Sequence, residues 1–259
     1  MKSFTGSFSA VHDNLTLELS RAPVVHVGEW QAIRTGLPQE ETIEIEDYSF
    51  EIPISDDAED FQNIIKPNLP WAEDHFLERV SGIPHNPPPS HEWWPFAQHS
   101  NDQHRSQEKF SHTYPERFWP RSLMPDGIRF ATGELADLVE ILQTRTGSRQ
   151  AYLPVWFPED LAASRRGERV PCTLGYHFLI RNNQLKIVYY IRSCDFYRHF
   201  RDDVYMAGRL AQWVADQIPE VLPMKLVMHI SSLHIFSVEK GKIDREAKEI
   251  MTKNMFKVR

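Results

Sequence analysis

The segment PCTLGYHFLIRNNQLKIVYYIRSCD, residues 171–195, decides the fold. Leu174, Tyr176, Phe178 and Ile180 alternate with Thr173, Gly175, His177 and Leu179; Leu185, Ile187, Tyr189 and Ile191 alternate with Lys186, Val188 and Tyr190. Both runs have period two and predict strands. Asn182-Asn183 between them tolerates positive φ, so the simplest connection is a two-residue hairpin turn. In that register Cys172 lies opposite Ser193, and a bulge would shift the pairing by one residue while keeping Arg192 near the thiol. A nearby guanidinium favours the thiolate, the form that attacks electrophilic carbon. On burial statistics alone, the same cysteine reads as a small buried apolar residue.

Working outward, 259 residues are enough for a large core, and no linker divides them, so one domain over 1–259 is expected. The 29 Lys and Arg against 36 Asp and Glu give a formal charge of -7, a poor footprint for wrapping nucleic acid. A single phosphorylated small molecule needs only a local cluster of Arg. Two cysteines cannot build a disulfide framework, no apolar run approaches a membrane span, and the first residues lack a signal-peptide core. A cytoplasmic protein with no membrane partner is expected.

Along the chain, Leu15-Thr16-Leu17-Glu18-Leu19 and Thr42-Ile43-Glu44-Ile45 alternate and suggest strands joined by a polar loop. Helical spacing appears over 71–80, 134–145 and 204–218, with a strand over 151–156 and another ending in His234-Ile235-Phe236. The stretch 85–119, rich in Pro, His, Gln and Trp, has no clean period and is expected to line a site. Strands and helices mixed along the whole length predict an α+β fold. His85, His91, His99, His104 and His112 match no zinc spacing, so no metal is expected and they read as surface or loop residues.

Three Arg-centred segments, Arg34-Thr35-Gly36, Ser148-Arg149-Gln150 and Arg192-Ser193, occur with Pro171-Cys172 and His234-Ile235-Phe236 in one order along the chain. In that order and approximate spacing the chain resembles the thymidylate synthase family, including its pyrimidine hydroxymethylase branch. The most specific part is Pro171-Cys172, then Arg192-Ser193-Cys194-Asp195, then Asp203 near the start of a helix. The resemblance implies a mixed sheet with flanking helices, packed at a homodimer interface, and methylenetetrahydrofolate as co-substrate. It makes Cys172 the nucleophile that adds to C6 of a pyrimidine nucleotide, leaving C5 electron-rich.

By the same resemblance Arg34, Arg192 and Ser193 bind the nucleotide phosphate, and Arg149 reaches it from the other subunit; guanidinium forks suit that task. Where the family commonly has a second Arg, this chain has Gln150. Glu73 is the candidate proton-relay acid, with Asp74 and Glu78 as alternatives, and Tyr114 joins the same network. Asp195 is expected to bind the folate pterin, with Trp93 and Trp94 as an aromatic wall, and His234 to bind the sugar; Phe236 lacks the hydroxyl that a tyrosine would bring there.

Asp203 is the informative departure. Thymidylate synthases have asparagine there, suited to uracil, whereas a carboxyl group accepts from the cytosine amino group and, when protonated, donates to N3. The plainer reading is that Asp203 caps a helix beginning at Val204. These residues point to deoxycytidylate hydroxymethylation, with dUMP methylation, CMP hydroxymethylation and a catalytically silent nucleotide-binding protein as alternatives. Hydride or water as the final reactant is expected to depend on how residues near Phe256–Arg259 close over the site.

Overall fold

The two asparagines between the alternating runs adopt φ of 51° at Asn182 and 58° at Asn183, the signs that a type I′ hairpin turn requires. The computed structural model describes residues 2–27, 41–96, 105–106, 109–119 and 135–257. Its elements are β1 (Lys2–Thr5), α1 (Phe8–Arg21), β2 (Val24–His26), β3 (Glu41–Pro53), α2 (Ala58–Ile65) and α3 (Trp71–Arg79). There follow β4 (Arg105–Ser106), β5 (Lys109–Phe110), α4 (Tyr114–Phe118), α5 (Leu135–Thr144), β6 (Tyr152–Pro154) and α6 (Pro158–Arg165). The last third is β7 (Thr173–Arg181), β8 (Gln184–Ile191), β9 (Cys194–Asp195), α7 (Phe200–Asp216), β10 (Leu222–Phe236) and α8 (Lys240–Lys257).

The fold is α+β. One mixed sheet has the order β1-β3-β10-β8-β7-β6, with β2 beside β3 and β9 beside β10. Its middle strand, β10, runs antiparallel to β3 and parallel to β8 and β9. α7 packs on β8 and β10, and α1 on β3, so the residues pointing that way are buried. The other face carries half-exposed side chains such as His177, Tyr190 and His229, the last two stacked at 5.1 Å.

Four strands change phase side by side. Inward residues run Ile43, Ile45, then Tyr48, Phe50, Ile52 on β3, and Leu226, Met228, Ile230, then Leu233, Ile235 on β10. The same three-residue step separates Ile191 of β8 from Cys194 of β9, and Thr173 from Tyr176 on β7. Three of the steps are in register: Ile45 pairs with Leu233, Tyr48 with Ile230, Ile191 with Ile230, and Cys194 with Leu233; Thr173, opposite Ile191, ends the β7 step where the β8–β9 step begins. β3, β10 and β8–β9 thus take up one extra residue at one level without losing register, while β7 takes up its own between Thr173 and Gly175, one pair earlier, as a bulge against β8. On β7 this moves the pairing from Gly175 opposite Tyr190 to Thr173 opposite Ile191, so the Cys172 carbonyl accepts from the Arg192 amide at 2.9 Å. The regular register, with Cys172 opposite Ser193, therefore ends at Gly175, and Cys172 meets Arg192 instead.

Two expectations change. Leu15 to Leu19 is not a strand but part of α1: Ser7 accepts from the Ala10 amide as N-cap, and Phe8, Val11, Leu15 and Leu19 form one buried stripe. Five alternating residues were a fragment of that longer 3.6-residue period. The helix expected from Val204 begins at Phe200 with His199 as N-cap, and the Asp203 amide already donates to the His199 carbonyl at 2.8 Å. Asp203 is consequently no cap; it lies inside the first turns of α7. Among the described residues, no helix is long and apolar enough to cross a membrane.

α7 and α2 approach closely at Gly208, where an added Cβ would come within 2.2 Å of the Phe61 ring. Phe61 is fully buried and stacks on Tyr205, so it has little room to yield. Gly208→Ala is expected to cost about 1–3 kcal/mol by overpacking, read as a lowered melting temperature; an unchanged melt would show that this contact relaxes freely.

Candidate active site

Beyond these steps, a cavity of about 440 Å³ opens between the sheet, α3, the 3₁₀ turn at Pro89–Trp93, α4 and the start of α7. Cys172, Ser193, Tyr114, Trp94 and Asp203 all line it, although they come from five separate places in the sequence. Such a volume is typical of a small-molecule site.

Arg192 is tied to the strand that carries the thiol. Its Nε donates to the Pro171 carbonyl at 2.9 Å and its Nη2 to the Val170 carbonyl at 3.2 Å, which leaves Nη2 4.0 Å from Cys172 Sγ. Burial pushes the Cys172 thiol up, and Arg192 and Arg169 oppose that shift without cancelling it. The guanidinium acts in the expected direction, but the thiol stays protonated at neutral pH.

Tyr114 is held by hydroxyls. Thr173 Oγ1 donates to Tyr114 Oη at 3.1 Å, so its single hydrogen is used and Tyr189 donates to it at 2.9 Å. The Tyr114 hydrogen is then available to the cavity, while burial pushes its pKa well up. α4 itself is anchored by a buried fork: Arg117 donates to both oxygens of Asp160, at 2.9 and 2.7 Å.

Asp203 lines the cavity with Cys194 Sγ 3.7 Å from its Oδ2. Burial is the main cause that pushes its carboxyl up to about 7, while Arg79 pulls the other way. Its neighbour Asp202 instead accepts from the amide and side chain of Asn68, both at 2.8 Å, fastening α7 to the segment before α3.

Other expected site residues lie elsewhere. Glu73 faces α7, where Arg209 grips both its oxygens at 3.0 and 2.8 Å and Tyr205 donates at 2.8 Å. Burial alone would raise its pKa, but these hydrogen bonds hold it below the usual value. Asp74 accepts from Trp93 Nε1 at 3.0 Å, and Trp93 is 46% exposed. Neither Glu73 nor Trp93 lines the cavity. Asp195 is buried behind it, accepting from the Tyr197 and Arg198 amides and the Arg198 guanidinium, all at 3.0 Å. His234 lies beside Asp195 across the β9–β10 pairing. Arg149 is exposed and outside the cavity, with its carbonyl 3.1 Å from His177 Nε2 on the open sheet face. Arg34 lies outside the described residues.

Sequence reasoning missed the α3 wall. Trp71, His75 and Arg79 recur every four residues, are all buried and all line the cavity. That stripe is visible as a helical period, but the family resemblance asks for a carboxylate on this helix. His91 and His112, read as surface or loop residues, also line the cavity, as do Arg169 and His199. His199 stacks on Trp94 at 5.6 Å and 18°, giving a flat aromatic wall; Trp94 Nε1 is buried with no hydrogen-bond partner among the described residues. These features fit a flat heteroaromatic ring such as a pterin.

A family model described as Thymidylate synthase matches residues 92–257. The chain belongs to the thymidylate synthase family. No curated protein matches it. Family membership brings folate-dependent modification of pyrimidine C5, with a pyrimidine nucleotide as substrate and methylenetetrahydrofolate as co-substrate. The match includes the Cys172 hairpin, Tyr114 and Asp203, whereas α3 lies before its first residue.

Because Asp203 has a raised pKa, the folded protein holds its proton more tightly than the unfolded chain. Stability is therefore lost as pH rises from the unfolded value of 3.8 through about 7. The melting temperature of Asp203→Asn minus that of wild type is expected to grow by several degrees from pH 4 to 7 and then level off. A flat difference across that range would contradict the raised pKa.

Proposed function

We propose that this member of the thymidylate synthase family is a deoxycytidylate 5-hydroxymethylase built as one domain. Asp203 carries the reading: a carboxyl group on the cavity wall, with a pKa of about 7, is available in both protonation states at neutral pH. Protonated, it donates to cytosine N3 and accepts from the 4-amino group, the complement of the pattern that uracil presents.

Cys172 adds to C6 of the base, and Arg192 beside it offsets negative charge as the thiol ionises. Methylenetetrahydrofolate, when bound, supplies the one-carbon unit; Trp94, backed by His199, offers the wall for its ring. Tyr114 presents a hydroxyl donor to the base. Ser193 and Arg192, with Arg34, take the phosphate, and His234 the sugar. Arg149 is exposed and does not line its own cavity, which suits a role in the site of a second copy across the open sheet face. Asp195, held by Arg198, positions the loop between β9 and α7 that leads to the folate wall.

Incubation with methylenetetrahydrofolate and either dCMP or dUMP, followed by mass analysis of the nucleotide, tests the reading. Hydroxymethylated dCMP is expected; methylated dUMP as the sole product overturns it. Asp203→Asn is expected to shift the dCMP/dUMP ratio of kcat/KM towards dUMP by roughly 10-fold or more, and an unchanged ratio would show that Asp203 does not read the base. Cys172→Ser is expected to lose both the covalent adduct and turnover, and any remaining turnover would exclude the thiol as nucleophile.

A further inference from the structure

His75 is buried in α3, lines the same cavity as Cys172, and packs between Trp71, stacked at 5.2 Å, and Tyr114, edge-on at 6.4 Å. Its hydrogen bonds among the described residues both use Nδ1, to Glu78 Oε2 at 3.2 Å and to Ser90 Oγ at 3.2 Å. The tautomer follows from counting hydrogens. Glu78, held below its usual pKa by His75 and Ser90 against the effect of burial, is a carboxylate and only accepts. Ser90 spends its one hydroxyl hydrogen on Glu78 Oε2 at 2.6 Å, and its amide donates to Oε1 at 2.6 Å. Nδ1 therefore faces two acceptors and must carry the hydrogen, which leaves the lone pair on Nε2. Burial, with a smaller contribution from Arg79, pushes the His75 pKa down to about 4, so the ring is neutral at pH 7.

We propose that His75 is the proton-accepting catalytic residue of this site, receiving at Nε2 the proton lost from C5 of the pyrimidine, with Glu78 and Ser90 as its positioning residues. This rests on the reading of Cys172 as the nucleophile. With Sγ bonded to C6 and C5 carrying the new carbon, the C5–H bond breaks. Its electron pair stays on the pyrimidine and the proton goes to Nε2, forming an imidazolium whose Nδ1–H faces the Glu78 carboxylate. The carboxylate thus both fixes the tautomer and stabilises the charge that develops, as an aspartate does for histidine in hydrolytic triads. The carboxylates of α3 that face away, Glu73 and Asp74, are occupied by Arg209 and Trp93.

The test uses C5-deuterated dCMP and dUMP with methylenetetrahydrofolate, following two signals: the covalent Cys172 adduct by intact-protein mass and deuterium release to water. Wild type is expected to show both. In His75→Gln the adduct should still form and accumulate, while deuterium release slows by roughly 100-fold or more, the usual size of a general-base contribution. Glu78→Gln puts an amide beside Nδ1 that can donate to it and flip the tautomer; it is expected to slow release by a similar factor, with nucleotide Kd unchanged. Release within about 3-fold of wild type in either variant overturns the proposal, as does a folded His75→Gln that forms no adduct. If His75→Gln does not fold, Glu78→Gln decides alone. Wild type that forms no adduct with either nucleotide overturns the Cys172 reading instead.

Discussion

A single bend across the sheet organises the rest of the molecule. β3, β10 and β8 with β9 each absorb one extra residue at the same level, and β7 absorbs one a pair earlier, so the inward pattern stays matched from strand to strand while the pleat changes phase. Cys172, Arg192, Ser193, Asp195 and His234 all lie beyond that level. An isolated slip would put one strand's buried residues on the wrong face; three steps in register and the adjoining β7 bulge preserve the core and reorient the strand ends. The bend is why the cysteine carbonyl meets the Arg192 amide and why a guanidinium sits 4.0 Å from the thiol.

Burial in the cavity works against charge on several of its titratable groups. It raises the Cys172 thiol and the Asp203 carboxyl and lowers His75 and His199 to about 4 and His112 to about 3. At neutral pH the three rings are therefore neutral, and positive charge comes from the guanidinium groups of Arg79, Arg169 and Arg192. A wall of neutral donors and acceptors with a few fixed cations suits an anionic ligand whose base is read by hydrogen bonds.

The hairpin was legible because two uninterrupted period-two runs flank a turn whose residues favour positive φ. The bulge in it was not, since a one-residue slip leaves no mark in the alternation until the partner strands are known. α1 was misread from a five-residue window of a fourteen-residue stripe. α8 went unread because its apolar positions are sparse and only Ile243 and Ala247 are well buried. In the site, Cys172, Tyr114, Trp94, Ser193 and Asp203 line one cavity. The departure was α3, where a helix presents one stripe to the cavity and another to α7: its two early carboxylates project away from the cavity, and which side a helix turns inward is decided by packing partners far along the chain.

β10 joins β3 to β8 in the centre of the sheet, yet it is the last strand to be synthesised, about 180 residues after part of the sheet it must fit. Until residues 222–236 emerge from the ribosome, β3 and β8 each present an open, apolar edge, and the hairpin bearing Cys172 has no neighbour on one side. Nascent chains ending before β10 would be clients for chaperones.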